Sequence, residues 1–275
     1  MSAQKPSGRP MTAASVRARK GGEPLVCLTA YDAPTAAVLD PHCDVLLVGD
    51  SVGMVVHGLP STVGVTLNMM VLHGQAVARG AKQALIVVDL PFGSYEASAE
   101  QAFASATRVL SETGCGAVKI ESGTYAAETI RFLTERGVPV MAHVGLRPQA
   151  SLVTGGFKAK GKSAAEREAV LDEARAADDA GAFAIVVEGT DEALAREITR
   201  VVRCPTIGIG ASAACDGQIL VTPDMLGQFD WTPKFVRRYA DLKTVVDQAA
   251  EHYAQDVRSR AFPGEKETYR LKRDG

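Results

Sequence analysis

An α/β fold, a (β/α)8 TIM barrel in a single domain, is what this sequence predicts, on three observations. Eight short β-branched runs recur from residue 24 onward. Each run is nearly continuous in apolar character, the pattern of parallel strands covered on both faces. Helix-compatible sequence fills the intervals, and 275 residues is a typical length for one such barrel. An open doubly wound sheet is the competing arrangement, because the eighth run is the weakest.

The elements follow in order. Leu25–Ala30 is the first run, Val45–Val48 the second, and Leu85–Val88 the third. Ala117–Ile120, Val140–Val144, Ala184–Val187 and Thr206–Ile209 come next, and Ile219–Val221 is the weak last one. Ser98 and Ser163 are placed to cap helices, the latter with Glu166 in a capping box. Gly114, Gly137 and Gly181 each stand just past a helix and before a strand, where a left-handed residue ends the helix. The loop from Leu146 to Lys162 is unusually long and rich in Gly and Lys, which reads either as a lid or anion contact or as a plain mobile loop. The expected organisation is an N-terminal arm or short helix over 1–23, the barrel over 24–257 and a polar tail over 258–275.

Composition narrows the function. Hydrophobic residues make up 46% but aromatics only 5%, so core volume must come from Val, Ile, Leu and Ala, as barrel layers prefer. A net charge of −2 offers no basic surface for nucleic acid or an anionic membrane, so neither is expected as a partner. Cys27, Cys43, Cys115, Cys204 and Cys215 form no CxxC pair and read as buried free thiols in a reducing cytoplasm. The basic N-terminal segment (Lys5, Arg9, Arg17, Arg19, Lys20) reads as an arm or helix rather than a transit peptide, with no signal-peptide or membrane-spanning run.

The ionisable residues collect at the carboxyl ends of the strands, where barrels carry their chemistry. The second strand ends in Asp50-Ser51, the third in Asp89, the fourth in Lys119 and Glu121, the fifth in His143 and the sixth in Glu188. Singly, Asp50 or Asp89 reads as a helix cap, Lys119 with Glu121 as a rim ion pair, His143 as a core imidazole and Glu188 as the partner of a loop cation. Jointly, five successive strands deliver charge to one rim, and carboxylates so crowded repel unless a cation lies among them. Oxygen donors without a Cys or His cluster favour Mg2+ over Zn2+. A small 2-oxo acid could chelate such an ion, lose a proton beside its keto group, and have the resulting enolate stabilised by the ion and an ammonium, with a spare carboxylate as base.

From about Thr12 to Glu267 the chain resembles the ketopantoate hydroxymethyltransferase (3-methyl-2-oxobutanoate hydroxymethyltransferase) family. The segments are Thr29-Ala-Tyr-Asp32, Leu47-Val-Gly-Asp-Ser-Val-Gly-Met54, Val88-Asp-Leu-Pro-Phe92, Val118-Lys-Ile-Glu121, Ala142-His-Val-Gly-Leu146 with Pro148-Gln149, Gly155-Gly-Phe-Lys158, Val187-Glu188, Ile207-Gly-Ile-Gly210 and Cys215-Asp-Gly-Gln-Ile-Leu220. The resemblance implies transfer of a hydroxymethyl group from 5,10-methylenetetrahydrofolate to 3-methyl-2-oxobutanoate. The products would be 2-dehydropantoate and tetrahydrofolate, on the way to pantothenate. It also implies Mg2+, with Asp50 and Asp89 contacting the metal and Glu121 completing its shell. Ser51, Lys119 and His143 match substrate-contacting positions, as Asp50 and Asp89 also do, and Glu188 matches the base. A homo-oligomer, a decamer, is implied as well. Ala211-Ser212, Ser122 and Lys162 depart from the family's usual residues on the folate side and in the long loop. The competing activity is that of a Mg2+-dependent 2-oxo acid carbon–carbon lyase of the phosphoenolpyruvate mutase/isocitrate lyase superfamily. The Cys-bearing catalytic loop of that group has no counterpart here.

Overall fold

The structure, a computed structural model, describes residues 10–269. Strands β1 (Leu25–Thr29), β2 (Val45–Val48), β3 (Leu85–Asp89), β4 (Ala117–Glu121), β5 (Val140–Gly145), β6 (Ala184–Glu188), β7 (Thr206–Ile209) and β8 (Gly217–Leu220) form a closed parallel barrel in sequence order. Closure comes from β8 pairing back onto β1, Leu25 opposite Gly217 and Cys27 opposite Ile219, which excludes the open sheet. β8 begins two residues before its apolar run because Gly217 belongs to the ladder. A Cβ there would stand 2.6 Å from the Leu25 carbonyl oxygen, so the crowding that demands glycine also hides the strand from a hydrophobicity reading.

Alternate residues of a barrel strand face inward and outward. The inward set packs as one buried cluster: Cys27 on β1, Val45 and Leu47 on β2, Leu85 and Val87 on β3, Ala117 on β4, Met141 on β5, Ala184 and Val186 on β6, Ile207 and Ile209 on β7. Their neighbours, among them Leu46, Val88, Val118, Ala142 and Ile185, pack in the second cluster, toward the helices. Continuing the inward series two residues at a time reaches Asp89, Lys119 and Glu121, His143, and Glu188. On β2 the next inward place falls to Gly49, so Asp50 lies out of series.

At the other end of the sequence register, helix Ala13–Arg17 buries Val16 against the inward cluster. Thr12 and Ser15 cap it reciprocally. This helix lies within the stretch expected to form an arm or short helix, while Lys5 and Arg9 lie outside the described residues. The Ser98 hydroxyl accepts the Gln101 N–H at 3.1 Å. The Ser163 hydroxyl accepts the Glu166 N–H at 3.2 Å, but the expected capping box is only half formed, because the Glu166 carboxylate takes the Lys162 N–H instead, at 3.0 Å. Gly114, Gly137 and Gly181 adopt positive φ (+73°, +84° and +96°), as their places after helices require.

Buried Asp40 holds the approach to β3: its carboxylate accepts the backbone N–H groups of Lys82, Gln83 and Ala84 at 2.8–3.1 Å. Asp40→Ala strands those donors and is expected to cost about 3 kcal/mol in urea unfolding. A loss below about 1 kcal/mol would show that water replaces the carboxylate.

The first compact unit ends at Thr222 and contains the whole barrel; the second begins at Pro223. The second unit contains helix Leu242–Ser259, which buries none of its residues, so no core pattern separates it from the polar tail. Among the described residues, no helix is long and apolar enough to cross a membrane.

Candidate active site

Strand register delivers the charged side chains in pairs. Asp89 stands opposite Lys119 across β3 and β4, and Glu121 opposite His143 across β4 and β5. Lys119 Nζ lies 2.6 Å from Asp89 Oδ1, and both residues are buried. The other Asp89 oxygen accepts the Asp50 backbone N–H at 3.0 Å, which ties the turn after β2 to the end of β3. Asp89 is therefore not a cap for the next helix, a task Ser98 performs. Ser51 Oγ is 2.8 Å from the Tyr31 hydroxyl at the end of β1. A Cβ on Gly49 would come within 2.8 Å of that serine oxygen, so the turn that places Asp50 and Ser51 needs glycine.

His143 is buried, and neither ring nitrogen has a well-directed hydrogen bond. Its Nε2 lies 3.2 Å from Glu188 Oε2 and its Nδ1 4.0 Å from Glu121 Oε1. A core histidine held for stability is hydrogen-bonded, and this one instead sits between two carboxylates. Asp50, Asp89, Lys119, Glu121, His143 and Glu188 thus share one mouth, with Ser51 at its edge.

The electrostatics follow from the crowding. Burial, then the Asp89 charge, pushes the Asp50 carboxyl up to about 7, against the pull of Lys119 and a hydrogen bond from Gln149. Burial, then Asp50, raises Glu121 well above the carboxylate range. Burial draws Lys119 down, but Asp89, Asp50 and Glu121 outweigh it and hold the ammonium above the ordinary lysine range. Burial lowers His143 against the contact with Glu188, so the imidazole is neutral at pH 7. One ammonium thus faces four carboxyl groups, and the crowding that raises Asp50 and Glu121 is what a hard dipositive ion among oxygen donors would relieve. Among the described residues, no three His, Cys, Asp or Glu side chains close on a metal position by themselves. Mg2+ characteristically keeps part of its shell for water and substrate oxygens.

Two participants escaped the sequence reading of the site. Gln149 and Tyr95 are buried among these acids, Gln149 donating to Asp50 at 2.8 Å and Tyr95 accepting the Glu121 N–H at 3.2 Å. Pro148-Gln149 belongs to the segments of resemblance, whereas nothing in the sequence marks Tyr95. In the long loop, Lys160 pairs with Thr190 beyond β6 in an isolated bridge, so the loop is anchored there while Leu152, Val153 and Phe157 stay exposed. The five cysteines are buried and form no disulfide, as expected.

The sequence profile of the ketopantoate hydroxymethyltransferase family matches residues 10–265. The chain is 69% identical to the 3-methyl-2-oxobutanoate hydroxymethyltransferase of Maricaulis maris (strain MCS10), covering 99% of each chain. It is 70% identical to that of Hyphomonas neptunium (strain ATCC 15444), covering 96% of each. Among solved structures, phosphoenolpyruvate phosphomutase from Streptomyces platensis subsp. rosaceus superposes with a TM-score of 0.63 at 13% identity, over 94% of this chain and 92% of that one. An identity so low speaks for a shared fold and not for a shared reaction.

Proposed function

The chain belongs to the ketopantoate hydroxymethyltransferase family and transfers a hydroxymethyl group to 3-methyl-2-oxobutanoate; we propose that 5,10-methylenetetrahydrofolate is the donor and Mg2+ the resident ion. The lyase reading has only the fold likeness in its favour. The observation that carries the proposal is the Asp50–Asp89–Lys119 group, two buried carboxylates sharing one ammonium.

Asp50 and Asp89 would hold Mg2+, with Glu121 completing the oxygen shell. When bound, the ion supplies Lewis-acid stabilisation of negative charge on the keto oxygen of the oxo acid. Lys119 offsets the charge that grows on the substrate as its C3 proton leaves. Glu188, on the sixth strand, is the base: its carboxylate takes the C3 proton, and neutral His143, with Nε2 3.2 Å from Glu188 Oε2, gives that proton a second resting place. Ser51, oriented by Tyr31, contacts the substrate from the turn after the second strand. The new bond joins C3 to the one-carbon unit as that carbon's bonds to N5 and N10 of the folate break; one water supplies the hydroxyl oxygen and a hydrogen to each nitrogen, and the C3 proton ends on the new hydroxyl, leaving 2-dehydropantoate and tetrahydrofolate.

Removal of metal by a chelator is expected to abolish product formation, with Mg2+ restoring it, in an assay of 2-dehydropantoate release. Full turnover after chelation overturns the metal assignment. Asp89→Asn is expected to weaken Mg2+ binding at least about tenfold in calorimetry while the circular dichroism stays that of the folded barrel. We further propose a cytoplasmic homo-decamer, ten times the 28.9 kDa chain mass. The family resemblance supports the assembly, as do the apolar Val245, Val246, Tyr253 and Val257 exposed on helix Leu242–Ser259. Buried cysteines that form no disulfide support the reducing compartment.

A further inference from the structure

Gln149 lies on the single turn Pro148–Ala150 after β5, and its buried amide has one consistent hydrogen-bond assignment. Its Nε2 is 3.1 Å from the Leu90 carbonyl oxygen and 2.8 Å from Asp50 Oδ2. A carbonyl only accepts, so the NH2 end must face it, and its two protons are divided between Leu90 and Asp50. Oε1 is thereby turned to Tyr95, whose hydroxyl donates to it at 2.6 Å. The same hydroxyl oxygen accepts the Glu121 backbone N–H at 3.2 Å. The Gln149 backbone N–H donates to the two Glu121 carboxylate oxygens at 3.1 and 3.2 Å. The ends of β2, β3 and β4 are thus joined through one amide and one phenol.

We infer that Gln149 is a positioning residue for the reaction, its amide aimed by Tyr95 so that it fixes the Asp50 carboxylate while its backbone fixes Glu121. The need arises from the strand pattern. Asp89, Lys119, Glu121, His143 and Glu188 are pointed inward by their own strands, but Asp50 follows Gly49 out of that series. Strand pairing therefore does not aim the Asp50 side chain. Its backbone is held by Asp89, and its carboxylate by the Gln149 amide. Tyr95, itself buried, reinforces the orientation set by the Leu90 carbonyl, because its hydroxyl accepts the Glu121 N–H and turns its own proton to the amide oxygen. Partners that orient a metal-binding carboxylate typically matter 10- to 100-fold in affinity or turnover.

The inference rests on the Mg2+-dependent reading of the site, and full-length protein carrying Gln149→Met, Gln149→Glu, Tyr95→Phe and the Met/Phe pair tests it. Gln149→Met keeps the volume and removes the amide. It is expected to weaken Mg2+ binding about tenfold in calorimetry and to lower kcat by a similar factor, with KM for the folate donor unchanged. Gln149→Glu, of the same shape, should fall below Gln149→Met, because it sets a carboxylate against Asp50. Tyr95→Phe should weaken Mg2+ binding about threefold, and the pair should be no worse than Gln149→Met alone, since Tyr95 acts through Gln149. If Gln149→Met does not fold, Tyr95→Phe, which deletes one oxygen, carries the test by the same calorimetry. Mg2+ affinity and kcat within twofold of wild type in Gln149→Met, or a lowered melting temperature with both unchanged, overturns the inference and leaves the proposed function standing. A wild-type protein that does not bind Mg2+ overturns both.

Discussion

Glu188→Gln is expected to lower product formation by about 10²-fold or more, together with the exchange of the C3 hydrogen of 3-methyl-2-oxobutanoate into deuterated water. Proton removal from C3 needs no folate donor, so the exchange isolates the first half of the reaction. Glutamine preserves the shape of the side chain and removes the charge that takes the proton. Mg2+ and oxo-acid binding should survive, because Glu188 stands on β6, apart from Asp50, Asp89 and Glu121 on or after β2 to β4. Normal exchange with failed product formation would move Glu188 to the folate half-reaction. Loss of Mg2+ would make it a ligand, and His143, 3.2 Å away, would become the candidate base.

Lys119→Ala should be the most damaging change in the cluster. The ammonium is buried, lies 2.6 Å from Asp89 Oδ1, and is held charged by Asp89, Asp50 and Glu121. Its removal leaves those carboxylates without their cation, and breaking a buried pair in this way costs about 3–5 kcal/mol. Substrate suffers as well, because the charge facing the developing enolate is gone. The expected result is a fall of about 10²-fold or more in kcat/KM with a raised Kd for the oxo acid, and a lower melting temperature that added Mg2+ partly restores. Lys119→Arg should rescue poorly, since a planar fork does not occupy the place of a compact ammonium. Near-normal kinetics for Lys119→Ala, measured by steady-state turnover, would reduce it to a rim ion pair.

Five of the candidate site side chains were legible because they lie at the carboxyl ends of apolar runs. An inward apolar series on β3 to β6 continues, at the same spacing of two, into Asp89, Lys119, Glu121, His143 and Glu188. Once eight apolar runs suggested a barrel, their ends became the site without reference to any distance. Helix boundaries were legible for the same kind of local reason: Ser98 and Ser163 satisfy free N–H groups, and Gly114, Gly137 and Gly181 adopt backbone angles that other residues resist. Where a local signal had two outlets it misled, as at Glu166, whose carboxylate reaches the Lys162 N–H rather than closing the Ser163 box.

The sequence by itself determined the repeated strands and the charges at their ends, because each depends on neighbours a few residues away. The tertiary structure alone decided closure, the aim of Asp50 and the amide and phenol that hold it. Closure required Gly217 to meet Leu25, 192 positions earlier in the chain, and Gln149 to reach Asp50 required 99. Contacts of that span leave no periodic trace, since each partner is chosen by the volume and the unpaired hydrogen-bonding groups that the folded barrel brings to it.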